Sequence, residues 1–109
     1  MNILSFHEST VTKFLYDKNN FVIGLEDVST DCSSDKVEIV VKNLSKMLID
    51  SAPAADSSFK MPCDDGEVLT LELDEKKVFI LVEWNDFCSG TSFTQSYEIN
   101  GDRVQAYIL

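Results

Sequence analysis

Lys77-Val78-Phe79-Ile80-Leu81-Val82-Glu83-Trp84-Asn85-Asp86-Phe87 decides the fold. Val78 to Val82 is an unbroken apolar run rich in β-branched and aromatic residues, which suit a strand better than a helix. Alternation puts Val78, Ile80, Val82 and Trp84 on one face and Phe79 and Leu81 on the other. A strand apolar on both faces is expected at the centre of a sheet, covered on both sides. From Glu83 onward, carboxylates stand beside aromatics where the strand should leave the core.

Outward from this stretch the chain reads as short strands separated by turns. Towards the N-terminus, Leu69, Leu71 and Leu73 alternate with Val68, Thr70 and Glu72, and Asp74 to Lys77 turns the chain. Residues 51–65 form the longest connection, with Pro53 and Pro62 stopping regular structure. Val37, Ile39 and Val41 give a half-buried strand, followed by a kink at Asn43-Leu44-Ser45 and extended chain over Lys46–Asp50. A helix across Val41–Ile49 competes with that reading. Val11–Asp17 and Phe21–Val28 form a hairpin around Asp17-Lys18-Asn19-Asn20, with Gly24 marking a bulge or a close backbone approach. Ile3, Leu4 and Phe6 are candidate core anchors. Beyond Phe87, Phe93–Ile99 and Val104–Leu109 are strands, and Asn100-Gly101-Asp102 between them is the strongest hairpin signal in the chain.

The pattern lacks the long helices of a βαβ fold. It predicts a mainly β protein: an antiparallel β-sandwich or partly open barrel of about seven strands, with little or no helix. At 109 residues and 44% apolar content, residues 1–109 form a single domain with a genuine core. The N-terminus has no basic region followed by a long apolar run, so no signal peptide is expected. Cys32, Cys63 and Cys88 are an odd number at wide spacings, which points to thiols in a reducing cytoplasm.

Catalytic and metal signatures are weak. His7 is the sole histidine, and nothing local pairs it with Ser9 or a cysteine. The cysteines lack zinc-site spacing. Asp64-Asp65-Gly66-Glu67 lacks the spaced oxygen ligands of a calcium loop. The chain therefore reads as a non-enzyme with no metal and no cofactor.

Charge is the most informative total. Nineteen acids oppose nine bases, a net charge of −10, and Arg103 is the only arginine. Nucleic acid and anionic membranes need Lys and Arg to meet phosphate, so neither is expected as a direct partner. From Asp64 to Asp86 there are eight acids against two lysines, −6 of the −10. Aromatic anchors ringed by carboxylates suit an interface for a basic protein. The candidate contacts are Asp64, Asp65, Glu67, Glu72, Glu83, Trp84 and Asp86, followed by Asp27, Asp31 and Asp35. Trp84 reads equally as a core residue, and the acids as a solvated face.

Phe6-His7-Glu8-Ser9-x-Val11, a hairpin, and then Val37-Glu38-Ile39-Val40-Val41-Lys42-Asn43-Leu44 resemble small bacterial β-rich immunity domains. Those domains open on a Phe-His-Asp-Ser-x-Ile-like signature and carry a later Trp-Asp/Glu pair. Here Glu8 replaces the usual Asp, and Trp84-Asn85-Asp86 replaces the tighter pair. The resemblance implies a cytoplasmic inhibitor of a polymorphic or contact-dependent growth inhibition toxin, acting by binding. It implies a toxin as partner, often a nuclease; joined to the charge, the reading is a cognate basic toxin domain, a ribonuclease ahead of a deoxyribonuclease, with its active site covered by the acidic surface. The alternative is a sandwich or barrel that binds a small apolar ligand in a cavity lined by Phe79 and Leu81.

Overall fold

A computed structural model of the chain describes residues 9–29, 34–53, 61–63 and 65–108. The described residues form nine strands and no helix: β1 (Thr10–Asp17), β2 (Asn20–Ser29), β3 (Ser34–Lys42), β4 (Lys46–Ile49), β5 (Ala52–Pro53), β6 (Asp65–Leu73), β7 (Lys77–Asp86), β8 (Thr91–Asn100) and β9 (Arg103–Ile108). All pairings are antiparallel, in one sheet of order β5-β4-β8-β7-β6-β1-β2-β3-β9. The expected all-β antiparallel class is present. The strand number exceeds seven because β4 and β5 are separate short strands.

The sheet folds over on itself. Neighbouring strands lie ~4.8 Å apart, so β1 and β8, three steps apart, would be separated by ~14 Å in a flat sheet. Instead the rings of Phe14 on β1 and Tyr97 on β8 are 5.2 Å apart. Phe14 also meets Trp84 edge-on at 5.6 Å. The fold-over falls at the β1–β6 junction, where only Thr10↔Glu67 and Val11↔Gly66 pair. At the far edge, Val104 N on β9 donates to Glu75 O in the β6–β7 turn (2.8 Å), bringing the last strand back over the first half. The sheet does not close into a barrel.

The core lies between the two halves. Val78, Ile80, Val82 and Trp84 on β7 are fully buried, as are Tyr97 and Ile99 on β8. They face Phe21, Ile23 and Leu25 on β2 and Val37, Ile39 and Val41 on β3. Period-2 alternation of β-branched residues produces this face, and its burial supplies the main stabilisation. Phe79 and Leu81, on the opposite side of β7, are only half-buried. β7 is interior to the sheet, but it is covered fully on one face rather than two.

Several local expectations change in the three-dimensional fold. Gly24 does sit at a bulge: the β1 register shifts between Val11 and Lys13, and a Cβ on Gly24 would lie 2.9 Å from Lys13 Cβ. Chain 41–49 is strand, kink and strand, not helix, with Asn43 at φ 50. Leu69 occupies a bulge between Val68 and Thr70, so Leu71 and Leu73 share the inner face with Val68, and Leu69 leaves the alternation.

Asn100-Gly101-Asp102 does not make a hairpin. β8 and β9 do not pair, because β9 runs beside β3. The segment is a corner that carries the chain from one half of the sheet to the other. Gly101 is required there by close approach: a Cβ would strike the Lys42 carbonyl. The second corner, Asn43 to Ser45, lies against it. Asn43 Nδ2 donates to Asp102 Oδ2 (2.9 Å) and Ser45 N to Asn100 O (2.8 Å). Ile3, Leu4, Phe6, His7 and Cys32 lie outside the described residues.

Candidate acidic interface

Cross-strand partners share a face, so the register of β6, β7 and β8 assembles the outer surface row by row. Glu72 pairs with Phe79, which pairs with Glu98. Thr70, Leu81 and Ser96 form the next row. Glu67, Glu83 and Thr94 form the third, and Asp65, Asn85 and Ser92 the fourth. Five carboxylates therefore surround a half-buried apolar pair, Phe79 and Leu81. Lys77 is the one base in these three strands, and it lies at the end of the face, 3.4 Å from Glu98.

Bases are unevenly spread: β4 carries Lys46 and β7 carries Lys77, and the other half of the sheet carries the remaining strand bases. Lys13 lies on β1, Lys36 and Lys42 on β3, and Arg103 on β9. Lys13 pairs with Glu38 at 3.2 Å and Lys36 with Glu26 at 3.4 Å. The β1–β2–β3 half thus neutralises much of its own charge, whereas the β6–β7–β8 face keeps Glu67, Glu72 and Glu83 clear of any ion pair found among the described residues.

Glu67 and Glu83 sit directly opposite each other. Like charges so placed destabilise a sheet. The row runs on across the fold-over, since Thr10 pairs with both Glu67 and Glu26. A band thus crosses from β7 through β6 and β1 to β2, acidic at Glu83 and Glu67, neutral at Thr10, and offset by Lys36 at Glu26.

The fold sorts the sequence candidates. Asp65, Glu67, Glu72 and Glu83 lie together on the outer face. Asp65 is also held by Asn85 Nδ2 at 2.8 Å. Trp84 is not a surface anchor: it is fully buried, and its Nε1 donates to Tyr97 Oη at 2.8 Å. Even-numbered positions of β7 face the core, which withdraws the indole from any partner. Asp86 serves the β7–β8 turn, where its Oδ1 accepts from Cys88 N (3.0 Å) and Ser89 N (3.3 Å). Asp27 is exposed on β2 at a left-handed φ of 59, beside Glu26 at the far end of the band. Asp31 and Asp64 lie outside the described residues. Asp35 lies on β3 opposite Val28.

Sequence reading missed Glu98, Glu26, Phe79 and Leu81 as members of this surface. The clean alternation of Gln95 to Ile99 could have found Glu98, once β8 was paired with β7. Phe79 and Leu81 point outward, so they do not line a cavity between the halves. The exposed aromatic at this end of β7 is Phe87, at 79% exposure, not Trp84.

Tyr97 is the one group here with a resolved titration shift. Burial pushes its hydroxyl up to about 12, partly offset by the hydrogen bond from Trp84. A neutral phenol at physiological pH suits a structural role. Among the described residues no three His, Cys, Asp or Glu side chains converge to hold a metal ion, and no helix is long and apolar enough to cross a membrane. The chain matches no protein-family model, no curated protein and no solved structure.

Proposed function

We propose that this protein is an immunity protein, a stoichiometric inhibitor that binds a basic toxin domain through the outer face of β6, β7 and β8. The observation that carries the reading is the placement of Asp65, Glu67, Glu72, Glu83 and Glu98 around Phe79 and Leu81, with Lys77 at the margin. A nuclease must present cations to phosphate, and an acidic sheet face can occupy that cleft in place of the nucleic acid backbone. The apolar pair supplies contact area at the centre, while the surrounding charge steers encounter. Such steering can raise association to about 10⁸ M⁻¹s⁻¹ at low salt. The unrelieved Glu67–Glu83 opposition fits a surface retained for binding rather than for stability.

The toxin assignment rests on the immunity-domain resemblance and on charge. A ribonuclease is the leading target, and a cytoplasmic site of action follows from it. Tagged protein is used to capture partners from the source cells at low and at high salt, and the captured protein is then assayed on RNA and DNA. Recovery of one cationic nuclease, inhibited at a one-to-one ratio, is the expected result. Capture of a partner without nuclease activity, or a nuclease unaffected by bound protein, would refute the inhibitor reading.

A further inference from the structure

We infer that the outer face of β1, β2 and β3 docks on the same face of a second copy of this chain, as a weak two-fold homodimer that leaves both acidic faces free. Three cross-strand rows carry the argument. Lys13 pairs with Gly24, and Gly24 with Glu38. Leu15 pairs with Val22, and Val22 with Val40. Asp17 pairs with Asn20, and one residue beyond Phe21↔Val41 the register brings Lys42 to the other side of Asn20. The intervening Phe21, Ile23, Ile39 and Val41 are fully buried, so by alternation all three rows face outward.

These rows are self-complementary about β2. In the first row β1 supplies a base and β3 an acid. In the third β1 supplies an acid and β3 a base. The row between them is apolar throughout. A two-fold axis running along β2 lays β1 of one copy over β3 of the other. Lys13 then meets Glu38 of the second copy, Leu15 meets Val40, and Asp17 meets Lys42. Each contact occurs twice. The axis itself passes over Gly24, Val22 and Asn20, none of them charged. Glu26, one row further along β2, is held by Lys36 at 3.4 Å. Sheets stacked in this way stay nearly aligned at a spacing of about 10 Å.

The side chains are poised for such contacts. Leu15 is 44% exposed. Asp17 and Lys42 are exposed, and neither has an ion pair among the described residues. Lys13 already lies across Gly24 to reach Glu38 at 3.2 Å. Two copies therefore close a ring of four alternating charges around the glycines.

Charge selects a second copy as the occupant. At −10 the chain repels itself through most of its surface, whereas these rows match base to acid. The acidic face lies on the far side of the core, and the molecule measures 21 Å along its shortest axis. In the stacked pair the two acidic faces are on the order of 40 Å apart, about five screening lengths at physiological salt. The patch is three strands wide, which places the pair among small, weakly held interfaces. The inference does not depend on what the acidic face binds.

The test is sedimentation equilibrium of the full chain in reducing buffer at physiological salt, from micromolar to millimolar protein. Far-UV circular dichroism checks that each variant is folded. Wild type should follow a reversible monomer–dimer equilibrium. Asp17→Lys and Lys42→Asp should each weaken it about tenfold, because each sets like charges together at two symmetric contacts. The double variant Asp17→Lys/Lys42→Asp restores the match and should return close to wild type. Glu67→Gln, on the acidic face, should not weaken the dimer. A wild type that stays monomeric across the range overturns the inference. So does a dimer indifferent to both single reversals, one that the double variant fails to restore, or one weakened by Glu67→Gln.

Discussion

The indole Nε1 of Trp84 donates a 2.8 Å hydrogen bond to the hydroxyl of Tyr97, which in turn donates to Gln95 Oε1 at 2.6 Å. Both rings are buried on adjacent strands, and both meet Phe14 edge-on. This chain of contacts lets two polar aromatics sit in an otherwise aliphatic core. Tyr97→Phe leaves the indole N–H without its acceptor and should destabilise the protein by about 1–3 kcal/mol at neutral pH, read by urea unfolding.

The same hydroxyl predicts an alkaline limit. Its pKa is about 12 in the fold, raised chiefly by burial, against an ordinary value of 10.0. A raised pKa favours the protonated form in the native state. The associated stability is fully present below pH 10 and is lost as pH rises through the native value. Wild type should lose stability across that window, and Tyr97→Phe should lose less. Equal losses in the two proteins would remove Tyr97 from the account.

Gly66 lies under the Trp84 ring, where an added Cβ would sit 2.5 Å from Cζ3 and 2.6 Å from Cε3. Trp84 is packed on all sides and cannot retreat. Gly66→Ala should therefore cost about 1–3 kcal/mol by overpacking, seen as a lower Tm.

Glu67 and Glu83 face each other across β6 and β7. Glu67→Gln should raise the stability of the isolated protein by about 0.2–1 kcal/mol. The gain should shrink with added salt, because screening already weakens the repulsion. The same variant should bind the basic partner more weakly, so that stability and binding move in opposite directions.

Asp86 separates structural from interfacial acids. Its carboxylate holds the β7–β8 turn through two backbone N–H groups. Asp86→Ala should cost about 0.5–1.5 kcal/mol of stability and leave the rate of partner association nearly unchanged.

Much of the fold was legible because strand periodicity is local. Val78, Ile80, Val82 and Trp84 share a face by alternation alone, and all four are buried. The same alternation already places Trp84 in the core, against the suggestion of its acidic neighbours. Other features depend on partners distant in sequence. Asn100-Gly101 carries a strong hairpin signal, but β9 pairs with β3, so the dipeptide serves as a corner. The bulge at Leu69 reverses the facing of the residues after it, and no residue in Val68-Leu69-Thr70 announces it. Within the site, the run of acids from Asp64 to Asp86 was visible. What sorted them was cross-strand register, which set Glu67 beside Glu83, added Glu98, and assigned Asp86 to a turn.

The most direct test of the central claim is the association rate of the captured basic nuclease, measured by stopped flow across a range of ionic strength. It compares wild type, Glu67→Lys/Glu83→Lys, and Asp17→Lys at the exposed end of β1 as a control for charge reversal away from that face. If the β6–β8 face docks the partner, wild type should associate fast and slow steeply with salt. The double reversal should be at least about tenfold slower at low salt, with a flattened salt dependence, and Asp17→Lys should stay close to wild type. A double reversal that associates at the wild-type rate with the wild-type salt slope would contradict the account.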